Sequence, residues 1–172
     1  MTTAWILSCH YREEFWANAQ SIWLNKFVDL ESRRVFAVNG VPKSTFRNRE
    51  TLITWQGSHS EGLNLLKSHA LRQAADSDWL VFLDSDALLL SPLSLLLHDD
   101  RKVVAVMRSE DLGDPRPHPI FFAARAREIT DLELSWEDGW WPSPTGIMVH
   151  GLGTEILRRL DEAHLDWVKL ER

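Results

Sequence analysis

The sequence predicts an α/β fold: a mostly parallel central sheet with helices on both faces. Two observations lead there. Short apolar runs with no charge inside them, such as Ala4-Trp5-Ile6-Leu7 and Trp79 to Leu83, read as strands buried on both sides. Between such runs lie longer segments whose apolar residues recur at helical spacing, and that alternation is the pattern of parallel strands joined by crossover helices.

The first run, Ala4 to Leu7, ends at Ser8-Cys9-His10-Tyr11, and Arg12 to Phe27 then places Phe15, Ala19, Ile22, Trp23 and Phe27 on one helical face. Arg34 to Val38 is a second strand stopped by Asn39-Gly40, and Thr51 to Trp55 is a third. Ser60 reads as the N-cap of a helix carrying Leu63, Leu66, Ala70, Leu71 and Ala74. Trp79 to Leu83 is the fourth strand, and Ser91-Pro92 opens a short helix with serine capping and proline in the first turn. Val103 to Met107 and Ile120 to Ala124 are further strands. A helix from Thr154 to Ala163 and an extended Trp167 to Leu170 follow. A length of 172 residues suits one compact domain, and no linker, repeat or low-complexity tract divides it, so a single domain over 1–172 is expected.

A net charge of −6 without any Lys/Arg-rich block argues against nucleic acid as a partner. The single cysteine, Cys9, excludes an intrachain disulfide framework and fits a reducing compartment. Residues 1–9 are too short and too weakly basic for a signal peptide, and no apolar run reaches membrane-spanning length, so a cytoplasmic protein is expected. Nine tryptophans are many for this size; most should fill core, and some are available to face a ligand.

The chemistry gathers at "DSDWLVFLDSDALLL", residues 76–90, where an apolar strand ends in Asp84 and Asp86. In parallel sheets ligands bind beyond the carboxyl ends of strands, near a switch in strand order. If the chain stays extended through Ser85, both carboxylates project to one side. Held together they repel, and a hard divalent ion, Mg²⁺ or Mn²⁺, would stabilise them and could bridge a diphosphate. The plainer alternative is a pair of solvent-facing acids in a polar turn.

The stretch "GSHSEGLNLLKSHALRQAADSDWLVFLDSD", residues 57–86, resembles the nucleotide-sugar-dependent glycosyltransferases of the GT-A fold, particularly their family-two-like, small bacterial type. The likeness extends to "LSCHYRE", "FAVNG", "HPIFFAARAREITDL", "SWEDGWW" and the segment from "PTGIMVHG" onwards. It implies a Rossmann-like GT-A fold and transfer of a sugar from a nucleoside-diphosphate donor, UDP foremost, to a glycan or other hydroxyl acceptor, with Mn²⁺ or Mg²⁺ as cofactor. Carried over by position, Asp86 is the metal ligand and Asp84 contacts the ribose or the metal through water. Ser8, His10 and Tyr11 fall in the base-binding loop, and Asn64 at a position that packs near the nucleotide. Asn39 stands where the family often has an aspartate that reads uracil; Asn39-Gly40 also suits a plain turn. Lys67 reads as exposed.

"SWEDGWW" sets Glu137 and Asp138 among Trp136, Trp140 and Trp141. A carboxylate walled by indoles can have a raised pKa and act as general base on an acceptor hydroxyl; a loop with solvent-facing acids is the alternative. The resemblance favours Asp138 as the base of an inverting reaction, while a retaining reaction needs none. It also offers His150 as a further metal ligand, against a structural role after an apolar run. His118, in "RPHPIFF", reads as an exposed-loop residue available to contact the acceptor or a phosphate. Two other functions fit parts of the pattern. One is a non-catalytic nucleotide- or glycan-binding domain of the same fold. The other is a haloacid-dehalogenase-type phosphatase, which also ends a strand in Asp-x-Asp but opens its domain with that strand, whereas three strand-like segments come first here.

Overall fold

The computed structural model describes residues 2–46, 50–98, 100–108, 116–142, 146 and 148–170. In chain order its elements are β1 (Ala4–Tyr11), α1 (Glu14–Phe27), β2 (Ser32–Asn39), β3 (Glu50–Thr54), α2 (His59–Leu71), β4 (Trp79–Asp84), β5 (Val103–Arg108), β6 (Arg116–Arg125), α3 (Ala126–Asp131), β7 (Gly139–Pro142), β8 (Met148–Gly151), α4 (Thr154–Glu162) and β9 (Val168–Leu170). Seven strands form the central sheet in the order β3-β2-β1-β4-β6-β5-β9. Every neighbouring pair is parallel except those of β6, which runs against both β4 and β5. The mostly parallel α/β sheet read from the sequence is therefore present.

The order has a consequence for ligands. After β1 the chain fills one side with β2 and β3, then returns to place β4 on the other side of β1. The crevice above the carboxyl ends of β1 and β4 is thus a topological switch point. Because β6 is reversed, its first residues arrive at that same end of the sheet.

Alternation along β1 splits the core into two layers. Trp5, Leu7 and Cys9 pack with Leu63, Leu66 and Ala70 of α2, Ile129 of α3 and Ile156 and Leu160 of α4. Ala4 and Ile6 pack on the opposite face with Ala17 and Leu24 of α1. Gly62, inside α2, makes the first layer possible: a Cβ there would stand 2.8 Å from Cys9 Sγ and 2.9 Å from Trp55 Cε2. Glycine in a helix interior costs about 1 kcal/mol against alanine, and here the absent methyl is what lets α2 approach.

Four local expectations need correction. The buried stripe of α1 is Ala17, Gln20, Ser21 and Leu24, while Phe15 (69% exposed) and Ile22 (39%) face outward. Hydrogen bonding accounts for the rotation: Ser21 Oγ donates to Glu50 Oε1 at 2.7 Å, and the Gln20 amide donates to two backbone carbonyls. The cap of α2 is Ser58 rather than Ser60; its hydroxyl accepts the Glu61 amide while Glu61 accepts the Ser58 amide, a reciprocal capping box. Ser91-Pro92 leads only into a single 3₁₀ turn, Leu93–Leu95. The loop offered as one of two readings of "SWEDGWW" is strand from Gly139 on: β7 pairs antiparallel with β8, Trp140 with His150 and Trp141 with Val149. Among the described residues no helix is long and apolar enough to cross a membrane.

Candidate active site

At the carboxyl ends of β1, β3 and β4, Cys9, Tyr11, Trp55, Gly57, His59 and Ser85 line a cavity of about 360 Å³, within the range of small-molecule sites. It lies at the switch point. Tyr11 and Trp55 meet edge to face with centroids 6.5 Å apart, and the Arg12 guanidinium sits 4.8 Å over the Tyr11 ring. Burial, reinforced by Asp84, pushes the Cys9 thiol up to about 12, so it remains protonated and forms an apolar wall rather than a nucleophile.

The acidic pair stands beside this cavity, though not as an extended strand would place it. β4 ends at Asp84, and Ala87 N donates to Asp84 O at 2.9 Å, closing a turn over Ser85-Asp86. The turn leaves Asp84 partly buried and Asp86 exposed. His59 Nε2 stands 3.4 Å from Asp84 Oδ1, and His118 Nδ1, which accepts the Ile120 amide at 3.1 Å, stands 3.8 Å from Oδ2. Burial holds the His59 pKa below its ordinary value, with the Asp86 charge opposing. His59 therefore lines the cavity and senses both acids. Sequence reasoning missed it; the signal was its place as first helical residue after the capping Ser58, at the carboxyl end of the sheet.

Tyr11 forms part of the cavity wall. Ser8 and His10 lie on the same strand but are fully buried, at even positions facing the α1 layer, so their side chains do not reach the cavity. Asn39 pairs in register with Tyr11, its carbonyl accepts the Arg12 amide at 2.9 Å, and Gly40 follows with φ +71°, so the Asn39-Gly40 turn is formed.

Asn64 is engaged elsewhere: its Oδ1 accepts the Trp136 amide at 3.0 Å. Ser60 Oγ donates to the Trp136 carbonyl, and Lys67 Nζ donates to the Leu134 carbonyl at 2.8 Å. Lys67 is thus more than a solvated charge. Three successive turns of α2 hold the 134–136 backbone, which runs back towards the helix N-terminus, the His59 end. Trp136 is buried with its indole 5.3 Å from both Phe82 and Phe122. Glu137 and Asp138 follow and are exposed. The indole enclosure expected around them is not formed: Trp136 turns into the core, Trp141 Nε1 donates to Asp161 Oδ2 at 2.9 Å, and Trp140 is 64% exposed.

His150 is exposed on β8 with its ring 4.2 Å from that of Trp140, and its carbonyl accepts from Arg116. Among the described residues no group of three or more His, Cys, Asp or Glu side chains is arranged to hold a metal ion. Two carboxylates on one turn are nevertheless hard oxygen donors, and such a pair suits Mg²⁺ or Mn²⁺ when a diphosphate and water complete the shell.

His10 carries a testable electrostatic consequence. Burial draws its pKa from 6.5 down to about 4, against the influence of Gln20. The unfolded chain takes up this proton near 6.5 and the folded chain only near 4, so between those values the unfolded state binds more protons and stability falls as pH falls. The full contribution is present above pH 6.5, and the loss on reaching pH 4 is about 3 kcal/mol. Urea midpoints measured across that window should fall less steeply for His10→Phe than for wild type. Equal slopes would contradict the assignment.

No protein-family model matches the chain, and no curated protein matches it in sequence. Among solved structures it is similar to a mannosyltransferase of Pyrobaculum calidifontis in complex with GDP-Man and Mn²⁺, at TM-score 0.56 and 18% identity, covering 78% of this chain and 47% of that one. It is similar to glucosyl-3-phosphoglycerate synthase of Mycobacterium tuberculosis in complex with UDP, at TM-score 0.60 and 15% identity, covering 99% and 70%. A third is the galactosyltransferase LgtC with donor and acceptor sugar analogs, at TM-score 0.51 and 11% identity, covering 91% and 70%. The chain spans about half the length of the mannosyltransferase. At these identities the likeness concerns the fold: the chain has the GT-A fold of nucleotide-sugar glycosyltransferases.

Proposed function

We propose that this chain is a glycosyltransferase domain that moves a sugar from a nucleoside diphosphate to a hydroxyl acceptor. The observation carrying the proposal is the cavity at the switch point, walled by Tyr11 and Trp55 and opening beside Asp84 and Asp86. An aromatic wall accepts a flat heterocycle, and the neighbouring acids stand where its diphosphate would lie. Support comes from the GT-A neighbours, whose structures hold GDP-Man and Mn²⁺ or UDP.

Asp84 and Asp86 would hold Mn²⁺ or Mg²⁺ jointly with the diphosphate. Once bound, that ion neutralises the charge that builds on the leaving diphosphate. The chain's own groups do the rest. His59, at the N-terminus of α2 with its Nε2 3.4 Å from Asp84, presents a neutral imidazole, one donor and one acceptor, at the cavity wall. Asn39 supplies a donor and an acceptor at the rim for the base, with uracil the first to try. Asp138, with Glu137 as alternate, takes the proton of the acceptor hydroxyl if the reaction inverts; both emerge at the carboxyl end of the sheet. The exposed Trp140 face gives an acceptor sugar ring a surface on which to stack.

UDP or GDP should raise the melting temperature only with Mn²⁺ or Mg²⁺ present, by about 3 kcal/mol of stabilisation at a ligand concentration roughly 100 times Kd. Asp86→Asn should abolish the metal-dependent part without changing the ligand-free transition. An equal shift in EDTA argues against the site. A second reading, nucleotide binding without turnover, is favoured by His59 standing against Asp84 on the side where an ion would approach. Nucleotide binding without donor hydrolysis or transfer would select it.

A further inference from the structure

Gln20 lies on the core-facing stripe of α1 with no exposed surface, between Ala17 and Leu24. A primary amide is costly to bury unless its hydrogen bonds are met. Its Nε2 meets two: it donates to Asp84 O at 2.6 Å and to Ala87 O at 3.2 Å. These carbonyls are the two ends of the acidic turn, which the Ala87 amide closes onto Asp84 O. The amide can sit only this way round, because reversing it would set Oε1 against two carbonyl oxygens. His10, on β1, is also fully buried, with its ring 4.9 Å from Phe36 and 5.4 Å from Phe46. Neither His10 ring nitrogen nor Gln20 Oε1 meets hydrogen-bond geometry with another described group.

We propose that Gln20 is a positioning residue for the acidic turn. The amide locks Asp84 to Ala87 in the bent form that keeps Asp84 beside His59 and turns Asp86 outward. Released from it, the turn loses two of the hydrogen bonds that fix its ends, and the spacing of the two carboxylates is no longer held. The effect on metal and nucleotide rests on the transferase reading; the lock itself does not.

The test uses Gln20→Met, which keeps the length and volume but loses the donor. Ligand-free amide exchange should show protection at Ala87 falling about tenfold or more, while amides of α1 and β4 keep theirs. Mn²⁺ affinity in the presence of UDP, read by electron paramagnetic resonance, should weaken by a similar factor. If methionine disturbs the core, Gln20→Asn keeps a buried amide one methylene too short to span both carbonyls and should give the same local loss. Unchanged Ala87 protection in a folded variant overturns the lock, as does an unprotected Ala87 in wild type. Local loss of protection with no wild-type binding of Mn²⁺ and UDP upholds the lock and removes the transferase reading. Wild-type binding with Ala87 unaffected does the reverse.

Discussion

Replacing Trp136 by alanine should destabilise the protein by about 3–5 kcal/mol, the range for removing a large aromatic from a packed core. The indole is 1% exposed and lies edge-on to both Phe82 and Phe122, so its loss opens a cavity between β4, β6 and α2 that rigid neighbours cannot fill. The same residue anchors a segment that α2 grips through Ser60, Asn64 and Lys67, and those three side chains stay paired only while the backbone keeps its course. Urea unfolding should show a lower midpoint with an unchanged slope, and the melting temperature should fall by about 10 °C or more. Trp136→Phe should lose much less. A loss under about 1 kcal/mol for the alanine variant would mean that Trp136 is not the keystone of this layer.

Under the proposed transfer reaction, Asp84→Asn should lower the rate by about 10²–10³-fold, the scale on which removing one preorganised group at a reacting centre is felt. The substitution is isosteric and β4 is held by β1 and β6 on either side, so the fold should be unaffected. An independent readout accompanies it. Asp84 is one of the two causes that push the Cys9 thiol up, so Asp84→Asn should bring that pKa down and quicken alkylation of Cys9. Transfer within about tenfold of wild type, with Cys9 chemistry altered, would locate Asp84 correctly and deny it the catalytic task.

Strands and crossover helices were legible because charge-free runs are rare outside buried strands and the turns between them carry Gly, Pro and Ser. Strand direction was not: the Ile120–Ala124 run of β6 is as apolar as the runs of the parallel strands, and nothing in such a run encodes its polarity. The face of α1 was misread because hydrophobicity was taken as the guide, whereas Gln20 and Ser21 point inward to meet polar partners at Asp84, Ala87 and Glu50. Asp84 and Asp86 were found by their place at a strand end, yet the turn that carries them accepts a hydrogen bond from Gln20, 64 positions earlier. Asn64 looked like a ligand contact for the same reason; its partner is a backbone amide 72 residues on. His59 escaped notice because a histidine after a capping serine is unremarkable until the fold brings it to Asp84.

The chain also comes prepared for labelling. Its one cysteine, Cys9, is 5% exposed and stays a thiol far above neutral pH. Maleimides and methanethiosulfonates react with thiolates, so at pH 7 Cys9 should be nearly inert. A cysteine introduced on an exposed surface, at Ser68 of α2 or on the hairpin at Trp140, would take a spin label or fluorophore almost alone, with the native residue left in place. Distances between the hairpin and the sheet could then be followed with nucleotide and ion present, without first building a cysteine-free background.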